Sequence, residues 1–220
     1  VRVTVRVKIC GVRRPEDARA AVRAGADALG FNFWPGSKRF LAPAEAGRIV
    51  RQLPPFVAAV GVFVNATREE IVSALLASGV GVAQLHGDER PEECRDLPVR
   101  VVKAIRVTSA TDLLGLSAYR DAGVGTFLLD APSAGYGGSG TAFDWSLAAG
   151  ARPMGRVILA GGLGPGNVAE AIRAARPWGV DVASGVEIAP GVKDAGLMER
   201  FVAEARAALA GQAPGEDEER

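Results

Sequence analysis

Short apolar, β-branched runs recur along this chain, each followed by a longer amphipathic stretch, and the alternation leaves few folds open. The strand-like runs fall at residues 3–10, 28–33, 57–64, 82–85, 101–107, 126–130, 156–160 and 180–184. Their spacing of about 20 to 30 residues is the length of a βαβ unit. Near-continuous apolar strands alternating with helices indicate a parallel sheet buried on both faces.

An open, doubly wound sheet normally carries a glycine-rich loop after its first strand, whereas here that strand ends in Ile9-Cys10-Gly11. The glycine turns come late, as Gly161-Gly162 after the seventh run and Ser184-Gly185 after the eighth, where many barrels hold a phosphate group. The expected fold is therefore α/β, a single (β/α)8 TIM barrel of the phosphate-binding type. It should span residues 1–210, and the acidic, Gly/Pro-containing stretch 211–220 reads as a disordered tail.

Helix starts are marked chemically. Pro15, Pro43, Pro91 and Pro165 each suit a first helical position, and Thr67 with Glu70 reads as a capping box. From about Asp194, Leu197, Phe201, Val202, Ala205 and Leu209 recur at near-helical spacing, so the last helix should close the wall.

Lys and Arg total 26 against 25 Asp and Glu, and the cations are scattered, which argues against nucleic acid as a partner. No run of about 18 apolar residues suggests a membrane span, and residues 1–6 do not read as a signal sequence. The expectation is a soluble, cytoplasmic protein whose oligomeric state the sequence leaves open. Two cysteines, Cys10 and Cys94, are too few for a disulfide framework.

In such a barrel the chemistry gathers at the C-terminal ends of the strands. Those positions hold Cys10, the Gln84-Leu85-His86-Gly87 turn, Asp130, and the Ser37-Lys38-Arg39 loop, with the two glycine turns completing the ring. Barrel closure also makes the first and last strands neighbours. Lys8 and Asp181, each two residues before a strand end, should then point inward and form a buried ion pair.

Lys8-Ile9-Cys10-Gly11, the segment Gly30-Phe31-Asn32-Phe33-Trp34-Pro35-Gly36-Ser37-Lys38-Arg39, Gly61-Val62-Phe63-Val64-Asn65 and Gln84-Leu85-His86-Gly87 follow one another in order. After them come Leu128-Leu129-Asp130, Gly138-Ser139-Gly140 with Phe143-Asp144-Trp145, and Ser184-Gly185-Val186-Glu187 with Pro190-Gly191-Lys193-Asp194. This ordered set, running through the whole barrel, resembles the phosphoribosylanthranilate isomerase family. The resemblance implies an Amadori rearrangement of a phosphorylated aminoaldose, with no cofactor and no metal, in tryptophan biosynthesis. It implies Cys10 as general base, Asp130 as general acid and Arg39 as partner of the anthranilate carboxylate.

The required ionisations are opposite: a thiol near 8.5 should be lowered toward neutrality, and an aspartic acid raised by the apolar run before it. His86, the one histidine, should line and orient the site. The backbone of Gly161, Gly162, Ser184 and Gly185 should hold the phosphate. Gly135-Tyr136-Gly137-Gly138-Ser139-Gly140 has the composition of a lid. Cys94 should lie on the fourth helix as a packing residue, and a metal site built from Cys10, His86 and Cys94 is not expected. Two other readings fit parts of the pattern less well. The dual-substrate isomerases of histidine and tryptophan biosynthesis carry aspartate where Cys10 stands, and a non-catalytic sugar-phosphate barrel would show a degraded acid/base pair.

Overall fold

The computed structural model describes residues 4–130 and 145–209. Eight parallel strands close into a barrel in sequence order: β1 (Arg6–Cys10), β2 (Ala28–Asn32), β3 (Ala58–Phe63), β4 (Val82–Leu85), β5 (Arg100–Arg106), β6 (Thr126–Asp130), β7 (Arg156–Leu159) and β8 (Gly179–Val182). The barrel closes where β1 pairs with β8, in a register that sets Lys8 opposite Asp181. The (β/α)8 TIM barrel expected from the sequence is thus the fold. The lid segment 135–140, Phe143, Asp144 and the tail 211–220 lie outside the described residues.

Seven α-helical segments are found among the described residues: α1 (Pro15–Ala24), α2 (Pro43–Val50), α3 (Arg68–Ser78), α4 (Leu116–Asp121), α5 (Ala148–Ala151), α6 (Val168–Ala175) and α7 (Ala195–Ala207). Pro15 and Pro43 open their helices as expected. Thr67 Oγ1 accepts from the Glu70 amide at 3.2 Å while Glu70 accepts from the Thr67 amide at 2.8 Å, completing the capping box. Asp194 caps α7 by accepting from the Leu197 amide at 2.8 Å.

Two local expectations are corrected. Pro165 is not a first helical residue: it lies in the turn before α6, which starts at Val168 with Asn167 at its N-cap position. The fourth crossover is not an α-helix but one 3₁₀ turn, Pro91–Cys94. Pro91 and Pro98 leave a short interval between them, and the residue before a proline is driven out of the helical region, so a helix started at Pro91 has no room to propagate.

Alternation along each strand separates two apolar layers. Val7, Ile9, Leu29, Phe31, Phe127, Leu129, Leu159 and Val180 face outward and pack with helix residues such as Ala21, Ile49, Ile172 and Phe201 in the larger cluster. Val102, Ala104, Leu128, Ile158 and Ala160 form a separate cluster inside the barrel. The inward positions of β1, β4 and β8 carry Lys8, Gln84 and Asp181 instead, all buried. The outer layer thus supplies most of the burial, while part of the interior is polar and available for chemistry. No helix among the described residues is long and apolar enough to cross a membrane.

Candidate active site

A cavity at the C-terminal ends of the strands is lined by Cys10, Arg39, His86, Asp130, Gly161, Gly162 and Ser184, together with Gln84 and Asp181. Gly185 does not line it. It packs against the Leu163 carbonyl and Gly164 so closely that a β-carbon would clash, which ties the two glycine turns together. Gly161 and Gly162 both take positive φ, +81° and +65°, a conformation that favours glycine in this turn. Asn167 locks the same turn, accepting from the Gly164 amide at 2.8 Å and donating to the Gly162 carbonyl at 2.9 Å.

Lys8 Nζ lies 2.9 Å from Asp181 Oδ1, with the two side chains 6% and 8% exposed, so the ion pair inferred from barrel closure is present and buried. Burial opposes the Lys8 charge, but Asp181 and Cys10 outweigh it and hold the ammonium above its usual range. Cys10 sits beside this pair and keeps some surface open to the cavity. Its thiol is not lowered as the sequence reading required. Burial, with the Asp181 carboxylate, pushes it up, and the nearby cations Lys8 and Lys193 offset only part of that. A strand end inside a barrel is desolvated, and that penalty falls on the thiolate.

Arg39 is placed by a compact loop that folds back onto β2. Asn32 Oδ1 accepts from the Trp34 amide, its carbonyl accepts from the Leu41 amide, and Ser37 Oγ accepts from the Arg39 amide. The Arg39 side chain passes over Gly11, through space that a β-carbon would occupy. Its guanidinium makes a two-point pair with Glu187, Nε at 2.8 Å and Nη2 at 2.7 Å. Nη1 has no hydrogen-bond partner among the described residues. Glu187 begins the hairpin β9 (Glu187–Ala189) with β10 (Val192–Lys193) and also accepts from Lys193 Nζ at 2.8 Å. Burial pushes the Glu187 carboxyl up, but these bonds from Arg39 and Lys193 prevail and hold it below the ordinary carboxylate range.

His86 follows β4 and bridges two inward groups: Nδ1 lies 3.0 Å from Gln84 Nε2, and Nε2 lies 3.2 Å from Asp130 Oδ2. Beneath this turn, Lys103 Nζ donates to the Leu85 and Gly87 carbonyls at 3.3 and 2.7 Å and to Glu89 at 2.8 Å, while Glu89 accepts from the Gly87 and Asn65 amides. The buried Lys103–Glu89 pair therefore fixes the backbone that carries His86.

Cys94 is buried away from the cavity, its thiol donating to the Arg90 carbonyl at 3.5 Å, and burial pushes it up to about 11. No group of three metal-ligating side chains occurs among the described residues.

Sequence reasoning named Cys10, Asp130, Arg39, His86 and the glycine turns, but gave no role to Glu187, Lys103, Glu89 or Asn167. Glu187 and Lys193 had stood in view within one motif, where an acid and a base six residues apart around a Pro-Gly turn signal a hairpin pair. For Lys103, a lone lysine in an otherwise apolar strand was the available sign, because a buried ammonium needs a carboxylate.

A family model described as N-(5'phosphoribosyl)anthranilate (PRA) isomerase matches residues 7–204. The N-(5'-phosphoribosyl)anthranilate isomerase of Trichlorobacter lovleyi is 52% identical over 207 residues, covering 93% of this chain and 100% of that protein. Among solved structures, phosphoribosyl anthranilate isomerase from Thermotoga maritima superposes with a TM-score of 0.87 at 45% identity, over 93% of this chain and 100% of that one. A phosphoribosyl anthranilate isomerase in complex with reduced 1-(o-carboxyphenylamino)-1-deoxyribulose 5-phosphate gives a TM-score of 0.83 at 42% identity, with the same coverage. An isomerase by its relatives and a closed barrel by its strands, the chain belongs to the N-(5'-phosphoribosyl)anthranilate isomerase family.

Proposed function

We propose that this chain converts N-(5'-phosphoribosyl)anthranilate to 1-(2-carboxyphenylamino)-1-deoxyribulose 5-phosphate by an Amadori rearrangement in L-tryptophan biosynthesis, without a cofactor. The observation that carries the reading is one cavity lined by Cys10 and Asp130 from β1 and β6, with Arg39 and the Gly161-Gly162 and Ser184 turns around its rim. A related isomerase bound to a reduced form of that product has the same fold, which supports the choice of ligand.

On this reading Asp130 protonates the furanose ring oxygen as the C1'–O bond breaks, the nitrogen lone pair forming an iminium ion. Cys10 thiolate then removes the C2' proton, and the electron pair of that C–H bond neutralises the iminium to give the enolamine, which tautomerises to the ketone. The two steps need an acid and a base on the same ligand, which the ends of two non-adjacent barrel strands, β1 and β6, are suited to supply. Arg39 pairs with the anthranilate carboxylate through Nη1, since Glu187 occupies Nε and Nη2. The backbone of Gly161, Gly162 and Ser184 receives the phosphate, with Gly185 packed behind them to hold the two turns together.

The change in anthranilate fluorescence during turnover tests this. Cys10→Ser and Asp130→Asn should each remain folded, bind phosphorylated ligand, and lose about 10² to 10⁴ in kcat, equivalent to roughly 3 to 5 kcal/mol in the barrier. Near-full activity in either variant would remove that residue from the chemistry, and an inactive wild-type chain would overturn the substrate assignment.

A further inference from the structure

Gln84 is an inward residue of β4, only 1% exposed, and nothing in the acid/base scheme uses it. Its amide nitrogen lies 3.0 Å from His86 Nδ1, and the far side of that ring lies 3.2 Å from Asp130 Oδ2. The three side chains therefore form a line from the barrel interior to the residue proposed as the acid.

A neutral imidazole has one proton to place, and what faces one nitrogen decides the state of the other. An N–H presented to Nδ1 requires a lone pair there, so the proton sits on Nε2 and is donated to Asp130. Turning the Gln84 amide over would set its carbonyl against an Nδ1–H. Nε2 would then carry the lone pair and draw the aspartic proton away from the cavity. The turned amide would also leave two N–H donors without partners inside the barrel. In the observed orientation one amide N–H is bonded to His86 and the carbonyl oxygen Oε1 is buried without a partner among the described residues, and an unmet C=O is better tolerated than a second unmet N–H. Hydrogen bonding thus selects the orientation seen.

We propose that Gln84 is a positioning residue for the acid: it holds His86 as the Nε2–H tautomer, whose N–H occupies Asp130 Oδ2 and leaves Oδ1 to carry the proton given to the ring oxygen. Oδ1 has no partner among the described residues, and Asp130 lines the cavity. His86 exchanges no proton with the substrate. After transfer, its N–H remains on the new carboxylate and stabilises it. This rests on Asp130 being the acid.

His86 is the chain's one histidine, so ¹⁵N-detected spectra of the full chain, prepared without a histidine tag, show its two ring nitrogens alone. At neutral pH the wild type should give an unprotonated Nδ1 and a protonated Nε2. Gln84→Glu, which offers Nδ1 an acceptor at the same place, should move a proton onto Nδ1 and lower kcat about 10- to 100-fold with KM changed less than about 2-fold. A protonated Nδ1 in the wild type would overturn the inference. So would a Gln84→Glu variant whose tautomer changes while kcat does not, or one whose loss falls on KM. The wild-type spectrum needs no variant and decides the tautomer even if Gln84→Glu fails to fold. Asp130→Asn separates the two layers: if it remains active, the acid assignment itself fails, whereas an inactive Asp130→Asn beside a wrong tautomer sinks only the role of Gln84.

Discussion

Replacing Lys8 with Met removes one end of the ion pair that spans the closure of the barrel. The Met side chain has nearly the same length and fills the same space, so the loss is electrostatic rather than steric. What remains is Asp181 with its carboxylate 8% exposed and its 2.9 Å donor gone. Breaking a buried pair from one side typically destabilises by about 3 to 5 kcal/mol, because an uncompensated charge is left behind. For a chain of this size about 2 to 4 °C of Tm accompanies each kcal/mol, so a fall of roughly 6 to 20 °C should be seen. Urea unfolding of Lys8→Met, Asp181→Val and the double variant closes a cycle, and the double variant should be far less destabilised than the two single losses added together, since it leaves no charge stranded. The sign of the pH dependence follows from the raised ammonium: the pair's contribution is fully present below the ordinary lysine value of about 10.4 and is lost as pH rises through the higher folded value. The wild-type advantage should therefore be flat from pH 6 to 9. A Lys8→Met loss below about 1 kcal/mol, the value of a solvated pair, would refute the placement of both groups in a dry interior.

The raised Cys10 thiol predicts that iodoacetamide labels the free protein with a pH midpoint above the ordinary thiol value of about 8.5, so that less than about 10% is thiolate at pH 7.5. Mass spectrometry assigns the label, and a midpoint near neutrality would show that Lys8 and Lys193 outweigh burial. Arg39→Ala should act mainly on KM, by roughly 2 to 5 kcal/mol if the site is closed to water, because the anthranilate carboxylate is remote from the bonds that change. An unchanged KM with a collapsed kcat would move Arg39 into the chemistry.

The features legible in the sequence were those fixed by periodicity and closure. Strands β4 and β6 have the bounds read from their apolar runs, and the Lys8–Asp181 pair followed from alternation once the first and last strands were made neighbours. Local propensity misled at Pro91, where only a 3₁₀ turn follows, and at Pro165, where Gly166 and Asn167 intervene before α6 begins at Val168. The Arg39–Glu187 pair joins residues 148 apart on two loops, and no periodic pattern relates loop positions of that separation. The direction of the Cys10 shift was missed for a related reason. A list of nearby cations can be drawn from the motifs, but the desolvation that outweighs them depends on how completely the barrel encloses the thiol.

That shift also bears on the order of events in the proposed reaction. A thiol held above its usual value is a stronger base once ionised, yet it is mostly protonated in the free protein. Proton abstraction before ring opening would ask a scarce thiolate to remove a weakly acidic C–H. Ring opening first, by Asp130, places an iminium charge beside C2'. A unit charge ~5 Å from the sulfur, at an effective dielectric of ~20, favours the thiolate by about 3 kcal/mol, roughly two pH units. The same charge acidifies the C2' proton that the thiolate must take. In the proposed mechanism acid before base is therefore the favoured order, with Cys10 becoming reactive once the iminium that needs it has formed.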